Sequence, residues 1–414
     1  METKDKTHLN DLAKKWMGFA ADPVMQTRKE DWKALHSLRG RRPMTLIETG
    51  YIRDFVREDE LLCTDAYARN VERFMLDKII HAEEVGDDIV LEPYFRIGWQ
   101  MEQPSYGVDV TMESRDLAYV FNHSIKDPAD LSKLLQREFS VNRKKSLQQK
   151  ALLEDVFGGI LPVKLGGYSF MDTEEGIFDW VGDYFFGLTW QLHRFIGMDK
   201  MLYWYYDHPE AMHAAMQYVV DDRLRMFRTL EEGGCLVPNT DNQMAGPAFY
   251  GYCDDLPSGD DAVPLKSLWA WCESQESTNI SPEMYAEFVL PYLAQLAGKF
   301  GLIYYGCCET VHSNLEMIGQ KIHNVRAVSV SKWNDLDRAG ELIGGRYVYS
   351  RKPAPSPMSG KKPDWPALEK DIADTKRAAR NSNLEFLFRD LYDIDGDRGR
   401  LNQWVRLMQK EFNM

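Results

Sequence analysis

The run from Gly301 to Glu309, G-L-I-Y-Y-G-C-C-E, decides how the rest of the chain is read. A short apolar run ends in two adjacent cysteines and a glutamate. It predicts a buried strand whose last residues open into a loop carrying soft and hard ligand groups. Upstream, Ser281-Pro282 predicts a capped helix running to about Lys299 and kinked at Pro291. Downstream, Val325 to Val330 and Arg346 to Tyr349 predict two more strands, separated by a helix from about Asp335 to Ile343.

The same alternation extends through the chain. The strand candidates centre near residues 45, 90, 163, 237, 270, 304, 328 and 348. The best-marked helix begins at Pro209. Met212, Met216, Val219, Val220, Phe227 and Leu230 share one face of it, and Gly233-Gly234 stops it. An acidic and aromatic segment holds Asp179, Trp180, Asp183, Tyr184 and Phe185. Eight strands alternating with helices favour a parallel (β/α)8 TIM barrel. Residues 1–42 are polar and helix-like, with Trp16, Phe19 and Trp32 as anchors, and are expected to form an N-terminal helical extension capping a barrel of residues 43–414. The segment from Arg351 to Pro366 carries five prolines and reads as a loop over the barrel mouth, ahead of C-terminal helices. No glycine-rich phosphate fingerprint follows the first strand, so no dinucleotide site is expected.

Composition narrows the class. The chain has 414 residues, 44% hydrophobic and 28% charged, with a formal net charge of -14. Nucleic acid is not an expected main partner, because phosphate binding needs local positive charge. No apolar run reaches membrane-spanning length, and the polar N-terminus does not resemble a signal peptide. A cytoplasmic location follows as the expectation. Six cysteines in so long a chain do not make a disulfide scaffold.

Barrels of this kind carry their chemistry in the loops after the strands. The residues expected there are Glu48, Glu92, Asp241, Asn242, Glu273, Gln275, Glu276, Cys307, Cys308, Glu309, Lys332, Arg351 and Lys352. Adjacent side chains on a strand face opposite ways, so one of Cys307 and Cys308 would face the cavity. Zinc accepts mixed sulfur, nitrogen and oxygen ligands, and Glu309, His312 and Glu276 are the partners on offer. The alternative reading is two small buried hydrophobes. The stretch D-I-D-G-D at Asp393 to Asp397 fails as a calcium loop, since its glycine comes early and no glutamate closes it.

Several runs resemble the uroporphyrinogen decarboxylase superfamily. They are S-P-E-M-Y-A-E-F-V-L-P-Y-L, the strand ending at Cys307, L-E-M-I-G, S-V-S-K-W-N-D-L-D-R-A-G-E-L-I-G and R-Y-V-Y-S-R-K-P-A-P, spanning about Ile280 to Met358. The resemblance implies a TIM barrel and one of two chemistries, porphyrinogen decarboxylation or zinc-dependent methyl transfer involving a corrinoid. The methyltransferases carry His-x-Cys-Gly at the sixth strand. Cys307 matches their cysteine, while Tyr305 stands in place of the histidine and Cys308 in place of the glycine. No cysteine follows Cys308 to match a second family ligand.

What the resemblance implies is a demethylating methyltransferase. It would move a methyl group from a methoxylated or methylamine-type small molecule to a corrinoid carried by a partner protein, with zinc as Lewis acid. Cys307, Cys308, Glu309, His312 and Glu276 are the expected ligand pool. Glu276, Glu309 and Asp241 are the expected acid–base groups. Glu48, Glu92, Asn242, Gln275, Tyr305, Trp271 and Trp333 are expected to contact substrate, and a homodimer is an open expectation. The competing reading is a decarboxylase or lyase acting on a small carboxylated or tetrapyrrole substrate. It is disfavoured because T-L-I-E-T-G-Y-I offers no arginine after the first strand before Arg53. A barrel that only binds a tetrapyrrole or a partner is the non-enzymatic alternative.

Overall fold

The structure, a computed structural model, describes residues 1–115, 118–170 and 184–414; Asp179, Trp180 and Asp183 lie outside them. Helices α1 (Thr3–Ala20) and α2 (Pro23–His36) lead into β1 (Met44–Ile47) and α3 (Ala66–Ile80). Then come β2 (Phe95–Glu102), β3 (Met112–Arg115), β4 (Ala118–Phe121), β5 (Ser140–Val141), α4 (Arg143–Phe157) and β6 (Val163–Ser169). Helices α5 (Leu188–Ile196), α6 (Met198–Asp207) and α7 (Pro209–Glu232) precede a hairpin of β7 (Met244–Gly246) and β8 (Phe249–Tyr250). The alternating part is β9 (Trp269–Cys272), α8 (Pro282–Phe288), α9 (Leu290–Ala297), β10 (Leu302–Tyr305), α10 (Leu315–Lys321) and β11 (Val325–Val330). It closes with α11 (Leu336–Ile343), β12 (Val348–Arg351), α12 (Trp365–Ala378), β13 (Asn383–Phe388) and α13 (Gly399–Phe412).

Local chemistry accounts for the main boundaries. Pro209 opens α7, its expected apolar face is buried, and Gly234 stops it in the left-handed region at φ 61°. The expected kink near Pro291 is a full break: α8 ends at Phe288 and Pro291 sits in the first turn of α9, where its missing N–H costs nothing. Ser281, Asp335 and Asp364 each accept a backbone N–H at the start of a helix.

Six strands form one parallel sheet in the order β1-β13-β12-β11-β10-β9. A second parallel pair, β2 with β6, stands apart from it, with β5 antiparallel to β2. The chain is therefore an α/β protein with helices between parallel strands. Two expectations are corrected. Residues 235–239 form no strand, and the second strand begins at Phe95 rather than near residue 90. The strand that sequence reading placed among C-terminal helices is β13, between β1 and β12. A short apolar run such as Cys235-Leu236-Val237 carries no periodicity to distinguish strand from buried loop.

Side chains complete the sheet edges. On the β1 edge, Asp88 Oδ2 accepts Thr45 N at 2.8 Å and Asp87 Oδ2 accepts Ile47 N at 2.8 Å. Asp87 is held in turn by His81 Nε2 at 2.8 Å. On the β9 edge, Asn239 accepts from Trp269 N at 3.0 Å and donates to Trp269 O at 3.1 Å, and Phe185 bridges Trp271. Backbone groups of an edge strand that would otherwise be open are thus satisfied.

Alternation along the strands builds two cores. Ile303 and Tyr305 of β10, with Phe386 and Phe388 of β13, pack with α7, α9, α12 and α13. Leu302 and Tyr304, with Met44, Leu46, Trp269 and Leu387, face α1, α2 and the β7–β8 hairpin. The hairpin fills this second face: Phe249 lies 4.8 Å from Tyr304 and 4.2 Å from the His36 ring. Close approach requires glycines there. A Cβ on Gly251 would meet Asn239 O at 1.7 Å. Helices α1 and α2 share a core with the sheet. Among the described residues, no helix is long and apolar enough to cross a membrane.

Candidate active site at the strand exits

Because the strands run parallel, the residues following β1, β9, β10, β12 and β13 all emerge at one end of the sheet. They are Glu48, Glu273, Cys307, Lys352 and Arg389. Gly306, at φ 98°, turns the chain out of β10. Ser329 Oγ donates to Cys307 O and Ser331 Oγ to Cys308 O, at 2.7 and 2.9 Å, pinning this loop to the end of β11.

The two thiols lie together, with Sγ atoms 3.8 Å apart. Cys307 is buried and Cys308 half-buried. The hydrogen bond from Cys307 holds the Cys308 thiol below its usual range, and the Arg389 charge adds to this. The same bond, together with burial, pushes the Cys307 thiol up. Cys308 is thus the sulfur that ionises first. Arg389 Nε lies 3.3 Å from Glu48 Oε2 and 3.4 Å from Asp390 Oδ1. Burial works against its charge, but Glu48 and Asp390 outweigh burial and keep it protonated. Lys352 is buried, with Nζ donating to Pro247 O at 2.9 Å. Burial, then Arg389, pushes it down to about 8.

Behind this rim, toward the helices, stand three buried carboxyls. Glu309 accepts Ser274 N at 3.0 Å and Cys307 N at 2.7 Å, so both its oxygens anchor backbone. Glu276 Oε2 accepts Thr189 Oγ1 at 2.7 Å. Glu273 Oε2 accepts Gln275 N at 2.7 Å, while its Oε1 is buried without a hydrogen-bond partner. Burial raises all three above the usual glutamate range, Glu273 most plainly because Glu276 and Glu309 repel its charge as well. A cavity of about 140 Å³ adjoins Glu309, lined also by Ser274, Ser277, Tyr305 and Asn314 among others.

The other expected site residues separate into groups. Tyr305 faces the helices, its hydroxyl 2.6 Å from Tyr285 OH and 3.0 Å from Ser274 Oγ. Trp271 donates to Gly306 O at 3.0 Å and stacks on Phe185 at 4.2 Å, beside the thiol loop. His312 Nδ1 pairs with Asn334 Oδ1 at 3.1 Å, and Trp333 is 64% exposed. Glu92, Asp241 and Asn242 lie elsewhere. Asp241 pairs with Arg96, the second residue of β2, and Glu92 with Tyr252 and Lys29. Asn242 donates to Val90 O at 3.0 Å. With no strand at 237 and β2 starting only at Phe95, these residues precede strands instead of following them. Arg389 and Asp390 were missed by sequence reading, since their strand was not recognised.

A catalytic zinc usually takes three protein ligands. Among the described residues, no three of His, Cys, Asp and Glu come together in a metal-holding group. The thiol pair supplies two donors. The oxygens of Glu309 anchor backbone, Glu276 bonds Thr189, and His312 turns to Asn334. The donor set does not fit a zinc held by three protein ligands.

No protein-family model matches the chain, and no curated protein matches it. Among solved structures, it is similar to a methyltransferase from Methanosarcina mazei, with a TM-score of 0.50 and 11% sequence identity. The match covers 93% of this chain and 99% of that one. At this identity the likeness concerns the fold alone.

Proposed function

We propose that the chain is a methyltransferase, working at the rim formed by Cys307, Cys308 and Arg389. The observation that carries the reading is the thiol pair at the exit of β10, with one sulfur biased toward thiolate by its neighbour and by a buried guanidinium. A thiolate is the soft group that methyl chemistry needs, as nucleophile or as ligand. Full-length likeness to a fold that hosts a methyltransferase supports the same class. We read the six-stranded sheet with the β2–β6 pair as parts of one (β/α)8 barrel, which agrees with the family resemblance.

In this reading Cys308 meets the methyl group or its carrier, and Cys307 stabilises the negative sulfur by donating to it. Arg389 holds the local charge balance. Glu273, whose hold on a proton is strengthened by burial and by the neighbouring Glu276 and Glu309, is the candidate proton donor to the departing heteroatom. Trp271 and Phe185 provide a flat apolar wall beside the loop. A methoxylated or methylamine-type donor and a corrinoid protein as acceptor rest on the family resemblance alone. So does zinc, for which the two thiols would be donors but, among the described residues, no third protein ligand joins them.

The test is methyl transfer to a corrinoid protein from such donors, with the metal content of the purified chain measured alongside. Cys308→Ala should lower the rate by at least about a hundredfold, the scale of removing one group that touches reacting atoms. An unchanged rate removes the thiol from the chemistry. Stoichiometric zinc that disappears in Cys307→Ala or Cys308→Ala supports the metal part, and full activity in metal-free protein ends it. One observation favours the carboxy-lyase reading as second choice: Arg389 and Lys352 put two cations at the rim, where a substrate carboxylate would sit. Release of carbon dioxide from a carboxylated substrate, without methyl transfer, would select it.

A further inference from the structure

In an extended strand Cys307 and Cys308 would point to opposite faces. Here Gly306, at φ 98°, has already turned the chain out of β10. Both cysteine carbonyls then accept hydroxyls at the end of β11, Cys307 O from Ser329 Oγ at 2.7 Å and Cys308 O from Ser331 Oγ at 2.9 Å. Glu309 Oε2 accepts Cys307 N at 2.7 Å. With these backbone groups fixed, the two sulfurs lie side by side, Sγ to Sγ 3.8 Å. Cys308 is half-buried, whereas Cys307 and the other four cysteines, Cys63, Cys235, Cys253 and Cys272, are buried. Among the described residues, no third His, Cys, Asp or Glu joins the pair in a metal-holding group. The loop therefore presents a dithiol.

An accessible thiol with a second thiol beside it is the arrangement of an oxidisable cysteine and its resolving partner. We infer that Cys307 and Cys308 form a reversible oxidation site, closing to an intramolecular disulfide when a peroxide reaches the strand exits. Cys308, the more accessible sulfur, attacks one peroxide oxygen as the thiolate. The O–O bond breaks, and the other oxygen leaves with the thiol proton as water or an alcohol. The Cys307 sulfur then attacks the sulfenic sulfur of Cys308. The S–O bond breaks, and hydroxide leaves with the Cys307 proton as water. Each sulfur gives up one electron, and the peroxide takes both. The Sγ atoms close from 3.8 Å to about 2.0 Å. Neighbouring Cα atoms lie about 3.8 Å apart, short of the usual disulfide span of about 4.4 to 6.8 Å, so the closed ring is strained and easily reduced. Labile disulfides of this kind are the regulatory ones. The oxidised loop offers no free sulfur, so methyl transfer at the rim stops until it is reduced. That consequence rests on the proposed function; the bond itself does not.

Hydrogen peroxide, added to the full chain with a chelator present to keep metal off the sulfurs, is the probe. Thiols counted after denaturation should fall from six to four, and the peptide holding Cys307 and Cys308 should lose two hydrogens in mass. Dithiothreitol should restore all six. Cys307→Ala removes the resolving sulfur, so dimedone, which traps sulfenic acids, should label Cys308 in that variant and leave the wild type unlabelled. Cys308→Ala should keep every remaining thiol under the same exposure. Thermal melts of both variants establish that the fold is retained. Six thiols left in the wild type after peroxide, a sulfinic acid at Cys308 with Cys307 still free, a disulfide joining two chains, or equal dimedone labelling of the wild type and Cys307→Ala would each overturn the assignment. Because the thiol count and the mass need no turnover, methyl transfer can fail while this stands, and the reverse.

Discussion

Glu273 is a carboxyl whose burial is only half compensated. One oxygen accepts Gln275 N, the other accepts nothing, and two further carboxyls stand near enough to repel its charge. Its folded-state affinity for a proton therefore exceeds that of the unfolded chain. Where the folded value is raised, the native state binds more protons over the window from the usual glutamate value of 4.5 upward. The associated stability is fully present below that window and is lost as pH rises through the folded value. Glu273→Gln removes one of the ionisations. Denaturant melts from pH 4 to pH 9 should show wild-type stability falling with pH, and the variant falling less steeply. Parallel pH profiles would mean that Glu273 ionises freely in the fold. Glu309 differs in role: with two backbone N–H groups on its oxygens, it shapes the loop that presents Cys307 more than it offers a proton.

At the scale of elements, the β7–β8 hairpin decides how tightly the inner face of the sheet is filled. It enters past Asn239, and Gly251 passes so close to Asn239 O that no Cβ fits. Gly251→Ala should therefore displace the hairpin or the β9 edge, giving mostly insoluble protein or a melting point far below wild type. Wild-type stability would show that the crossing relaxes easily. His36, at the end of α2, joins three elements: Nδ1 meets Tyr252 O at 2.9 Å and Nε2 meets Glu385 Oε2 at 3.0 Å, all fully buried. His36→Ala leaves Glu385 without this partner in the interior. A loss of about 3 kcal/mol in chemical denaturation is expected, the scale for orphaning one half of a buried polar pair.

For the whole molecule, the two faces of one sheet serve different purposes. The face toward α7–α13 is an ordinary strand–helix core, while the other is closed by α1, α2 and the hairpin. Leu9, Leu12, Trp16, Met25, Trp32 and Leu35 of the first two helices all belong to that second core. A chain lacking residues 1–42 should expose this apolar surface and aggregate on expression. A soluble, cooperatively melting truncation would show that the rest closes by itself.

Much of this was legible in the residues. The length and apolar character of Leu302 to Tyr305, the proline-capped helix starts and the glycine stops are local signals, and local backbone preference with one-sided burial is enough to produce them. So the parallel α/β plan and the strand that delivers Cys307 and Cys308 could be read from the chain in order. Other features depend on residues far apart in sequence. β13 hides in a run that resembles its helical neighbours, so Arg389 was not expected beside the thiols. Asp241 and Asn242, read as a strand exit, belong instead with Arg96 and Val90. Periodicity reports which side of an element is buried, not which distant element buries it. The meeting of Cys307 with Arg389, and the parting of Asp241 from both, follow from strand order and hairpin insertion, which long-range packing selects once the chain is folded.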